Sequence, residues 1–118
     1  MIRIYKIPGK ELGYEQDRVY KVVDRLPHRV TSGFAEYQSQ ENWSKAIDLL
    51  LIECVIEGPI PDGKGGWIQG KITDEYLQSN DCDGIEMNML AEMIIEDSPA
   101  LDPKKQNELK KKARKSSA

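Results

Sequence analysis

The chain has 118 residues, of which 39% are hydrophobic and 31% charged, with a net charge of −3. That length holds one domain, or one domain and a tail, with a single modest core. No apolar run reaches the roughly 18 residues a membrane span requires, and Arg3 and Lys6 interrupt the first apolar run where a signal peptide would need an uncharged stretch. A cytoplasmic protein is expected.

Met1–Ile7 (MIRIYKI) alternates apolar and polar residues and reads as a strand. Arg18–Leu26 is a second β-rich run, ended by Pro27. The two predict an N-terminal antiparallel hairpin, which must pack on helices or pair with another chain to be stable. Val30–Ser39 reads as a weak helix, with Phe34 and Tyr37 three residues apart. Glu41–Glu57 is the most apolar stretch, nearly apolar all round between Ala46 and Ile56, and is expected to be the central buried helix. Gly58–Gly70 holds five glycines and two prolines in thirteen residues and reads as an irregular loop.

Thr73 is the expected N-cap of a short helix from Asp74. Asp83 is placed to cap a longer one, with Ile85, Met89, Leu90, Met93 and Ile94 facing the core and Glu86, Glu92 and Glu96 outside. Asp102-Pro103 opens a last stretch, KKQNELKKKARKSSA, with almost no apolar stripe. The expected fold is thus mainly α with an N-terminal β-hairpin: a small helical domain over residues 1–98, built around the helix 41–57, and a basic tail, 99–118, flexible or frayed-helical.

Sites follow from residue types and spacing. Gly63-Lys64-Gly65-Gly66 lacks the spacing and the Lys-Ser/Thr of a P-loop. Asp81-Cys82-Asp83-Gly84 resembles part of a calcium loop, but Leu90 falls where a bidentate Glu is required, so Asp83 reads as a cap. His28 is the only histidine, and Cys54 and Cys82 have no metal-ligand spacing. No catalytic residue, metal or cofactor is expected. Charge is segregated: residues 1–98 carry −8 and residues 99–118 carry +5. Lys104, Lys105, Lys110, Lys111, Lys112, Arg114 and Lys115 are the residues that would contact a polyanion, without an aromatic side chain for base stacking. Met87 stands off the apolar face of its helix, where an adaptable side chain suits protein binding.

The order of parts carries a resemblance. Arg25-Leu26-Pro27 follows the strands, the Leu-rich helix ends in Cys54-Val55-Ile56-Glu57-Gly58, and a late helix holds Leu90-Ala91-Glu92-Met93-Ile94. Over residues 1–98 this resembles the tail assembly chaperones of long-tailed bacteriophages. The resemblance implies a non-catalytic protein of the host cytoplasm that binds the tape measure protein, keeps its apolar helices soluble and helps recruit tail tube subunits. Client contact would fall to apolar residues left over from the core: Trp43, Trp67 and Met87. Self-association is a further expectation, from an exposed hairpin edge and a small core. Two other classes are open on sequence: an acidic inhibitor or adaptor that mimics nucleic acid, and a nucleic-acid-associated protein acting through the Lys-rich tail.

Overall fold

The computed structural model describes residues 1–101 and 103–116; the expected Asp102 cap and the side chain of Lys115 lie outside the described residues. Strands β1 (Ile2–Ile7) and β2 (Arg18–Val23) form the N-terminal hairpin, with Tyr5 opposite Tyr20, and a 3₁₀ turn at Gly9–Leu12 lies between them. Ile7, Tyr20 and Val22 are buried on one face, while Ile2 and Ile4 are exposed on the other. Helix α1 (His28–Ser39) begins behind Pro27, which fixes an extended entry, and buries Val30 and Phe34.

Helix α2 spans Trp43–Cys54 and not 41–57. Asn42 accepts from Lys45 N at 3.3 Å and sets its start. Its end is set by the chain turning into a strand at Val55, a β-branched pair (Val55, Ile56) that an apolar count cannot tell from more helix. Lys71 Nζ donates to the carbonyl oxygens of Ile52 and, at 3.0 Å, Val55, closing the helix end.

Residues 58–70, read as irregular, form most of a second hairpin: β3 (Val55–Pro61) and β4 (Trp67–Gly70) pair from Gly58↔Gly70 to Pro61↔Trp67. The fold is therefore mixed α/β, a four-stranded antiparallel sheet in the order β1-β2-β3-β4 with helices, and not mainly α with one hairpin. The prolines and glycines that argued against a strand have places in it. The β2–β3 ladder stops at Glu57, just before Pro59, and Pro59 and Pro61, two residues apart, direct their nitrogens to the same side of the strand. Gly58 passes over Tyr20 so closely that a Cβ there would lie 2.5 Å from the ring. Asp62 Oδ1 accepts from Lys64 N at 2.7 Å and Gly66 N at 3.0 Å, which folds the turn.

Thr73 caps α3 (Asp74–Leu77) through Tyr76 N. Asp83 caps α4 (Gly84–Glu96), accepting from Ile85 N at 2.8 Å and Glu86 N at 3.1 Å. The face that α4 buries differs from the expected one: Glu86, Met87, Leu90, Ala91 and Ile94 are inside, while Ile85 is 66% exposed. A 3₁₀ turn (Pro99–Leu101) leads to α5 (Pro103–Ser116), so the described part of the basic tail is helical. Its chief neighbour is that turn. The core joins Tyr20, Val22 and Val55 of the sheet to Val30, Phe34, Leu50, Leu51, Leu90 and Ile94 of α1, α2 and α4.

Candidate functional site

The residues singled out from sequence fall in different places. Trp43 opens α2 and is 53% exposed. Ile47 and Leu51 follow at four-residue spacing, so the three lie along one face, with burial increasing from Trp43 to Leu51. At the Ile47 and Leu51 end that face forms one wall of a notch of about 300 Å³. Leu77 of α3, Cys82 of the turn, and Gly84 and Met87 of α4 close it. Met87, expected off the packed face, is buried, 5% exposed, and contributes to the floor of this notch. Ile85, at the same end of α4, presents its side chain to solvent.

The notch has one charged residue in its lining. Asp48 lines it, and Gln78 Nε2 lies 3.3 Å from Asp48 Oδ2 and 3.4 Å from Asp74 Oδ1, bracketing two carboxylates with one amide. Burial, then the charge of Asp74, pushes the Asp48 carboxyl above its ordinary range, against the hydrogen bond from Gln78. Residues 73–98, which build α3 and α4, hold eight acidic residues and no Lys or Arg. Burial also raises the Cys82 thiol, so it is not an activated nucleophile.

Trp67 lies elsewhere. The Arg18 guanidinium is packed between two rings, 3.9 Å from the Tyr14 centroid and 4.0 Å from that of Trp67. Its Nε donates to Glu86 Oε2 at 3.0 Å, and the Tyr20 hydroxyl donates to the same oxygen. Burial would lower the Arg18 pKa, but the hydrogen bond and charge of Glu86 raise it above the ordinary value. Trp67 also meets Tyr14 and Tyr76 edge-on, at 5.6 and 6.4 Å between centroids. Its work is to hold the β3–β4 hairpin over the ion pair. The sequence pattern hides this cluster because it places Glu86 on the solvent face of its helix; the sequence sign is a basic residue opening β2.

A cleft of about 680 Å³ lies between residues 13–18 and the hairpin. In its wall Arg18 is paired with Glu86 through Nε, while its Nη2 is buried without a hydrogen-bond partner; Asp17 is 3.7 Å from Lys6, and Glu15, Gln16 and Gln69 complete the polar lining. Among the described residues no cluster of His, Cys, Asp and Glu has the makings of a metal site, and no helix is long and apolar enough to cross a membrane.

On α5, Lys105 Nζ donates to Glu96 O at 2.5 Å, and Lys110 and Lys111 are exposed. Lys104, Lys112 and Arg114 engage other groups. The helix thus displays a dense positive charge without an aromatic side chain. Of the three apolar candidates, then, Trp43 and Met87 belong to the α2 face and its notch, and Trp67 to the structural clamp. No protein-family model, characterised protein or solved structure matches the chain.

Proposed function

We propose that this protein is a non-catalytic chaperone that binds apolar helical segments of a client along the α2 face and the notch between α2, α3 and α4. One observation supports this best: Trp43, half exposed, extends by one turn the apolar row of Ile47 and Leu51 that leads into the notch. A single exposed apolar residue is ordinary, but this tryptophan is continuous with an apolar row that runs into a notch. An amphipathic client helix, laid across the notch, would cover Trp43 and Ile85 and set a side chain between Ile47 and Met87. Together with the resemblance of residues 1–98, this gives a tail assembly chaperone of a long-tailed phage, acting in the host cytoplasm. Its client is the tape measure protein and its downstream partner the tail tube protein.

The test is co-expression with a tape measure protein encoded beside it. The client is expected in the soluble fraction only with this chain present, and the Trp43→Asp variant is expected to lose most of that effect while keeping its own fold. A client equally insoluble with and without the chain would falsify the reading.

A further inference from the structure

α5 and the notch are complementary, and they sit at opposite ends of α4. The notch is closed by Gly84 and Met87, in the first turn of α4. α5 departs from the other end, where Lys105 bonds the carbonyl of Glu96. α4 has thirteen residues, so about 20 Å separates its ends. α5 leaves directly from the turn Pro99–Leu101, against which it packs, so it cannot reach the notch of its own chain without that turn unwinding. It can reach the notch of another.

We propose that α5 of one copy seats across the notch of a second copy, so that the free protein self-associates by covering its own client site. The observations are charge and shape. α5 carries seven basic residues and one acidic residue. Asp48 lines the notch, Gln78 links it to Asp74 nearby, and the stretch forming α3 and α4 has no basic residue to oppose a cation. Gln106, Leu109 and Ala113 recur at helical spacing on α5, and Leu109 is 54% exposed. Leu109 is the single large apolar side chain on a helix otherwise covered in charge. A notch of about 300 Å³ is too small for a helix and admits an aliphatic side chain from one lying across it. Leu109 enters between Ile47 and Met87, and the lysines on either side meet Asp48 and Asp74. The long, separated charges make this contact steep in salt.

The inference rests on the groove reading and adds its regulation: a client helix gains the site by displacing α5. Three preparations test it, with mass measured in solution. At about 50 mM salt the full chain is expected at no less than twice its 13.4 kDa, with self-association at least about tenfold weaker at about 0.5 M salt. The variant Lys110→Glu with Lys111→Glu, on the exposed side of α5, is expected at a single-chain mass at low salt with an unchanged far-ultraviolet spectrum. When an Asn88→Cys chain is mixed with a Leu109→Cys chain under mild oxidation, a mixed disulfide between residues 88 and 109 is expected, and it should be suppressed by high salt. A single-chain mass at every salt concentration, or mixed disulfide that forms equally fast with the charge-reversed α5, overturns the proposal. Client solubilisation by the same proteins separates the two readings. A charge-reversed monomer that solubilises the client as well or better leaves the groove in place. A self-associating chain that never acts on the client removes the groove reading alone.

Discussion

At the scale of the residue, the decisive pair is Arg18 and Glu86, 4% and 0% exposed. Desolvating both charges offsets much of their attraction, so the pair itself adds little net stability, but breaking it strands a buried ion. We expect Glu86→Leu to lower the unfolding free energy by about 3–5 kcal/mol. The double variant Arg18→Met with Glu86→Leu should recover most of that, both read from urea midpoints. Asp48 gives a pH test. Its folded pKa is raised, chiefly by burial, so its ionised form is disfavoured in the fold. The penalty is fully present above the folded value and vanishes below the unfolded one, so this group's contribution improves as pH falls through that window. Asp48→Asn is therefore expected to raise the unfolding midpoint at pH 7 and to change it little below the ordinary carboxylate range; a larger gain in acid than at pH 7 would contradict it. None of this was legible in the sequence. Glu86 looked like an outward acid because its partners lie 68 and 66 positions away in β2, and Asp48 looked like one polar break in an apolar run.

At the scale of the element, the β3–β4 hairpin shows where composition misleads. Glycine and proline content predicts an irregular segment, yet Gly58 makes room for Tyr20 and the prolines follow the end of the β2 ladder. Two caps are legible because they are local: Thr73 and Asp83 accept from backbone N–H groups within three residues, whereas Asn42, which does the same, lies inside the helix 41–57 that the apolar run predicts. Strand pairing and the rotation of α4 are not legible, because both depend on what the sheet brings opposite. The hairpin also separates the two tryptophans by role. Trp67, though 36% exposed, covers Arg18 and makes two edge-on ring contacts, so Trp67→Ala should cost about 1–3 kcal/mol of stability. Trp43→Ala touches an exposed position and should change stability by no more than about 0.5 kcal/mol. Equal losses in thermal or urea unfolding would show that Trp43 is packed and would remove the argument that it is held for a partner.

At the scale of the whole molecule, the shape carries the argument. The Cα radius of gyration is 16.1 Å, with extents of 61 × 28 × 22 Å. A compact chain of this length would have a radius of about 13.5 Å. The excess comes from α5, a 14-residue helix whose chief neighbour is the turn before it. A helix of that length with little tertiary support is marginal in water. Deleting residues 103–118 should therefore leave the cooperative unfolding of the body almost unmoved, within about 2 °C at high salt, while the far-ultraviolet helical signal falls. At low salt the outcome should differ. If α5 is held in the notch of a neighbour, the full chain is stabilised by association, its midpoint rises with protein concentration, and the truncated chain shows neither effect. A full chain whose midpoint is independent of concentration at low salt would leave α5 as a solvated appendage. A truncated chain that loses cooperative unfolding would instead make α5 part of the domain.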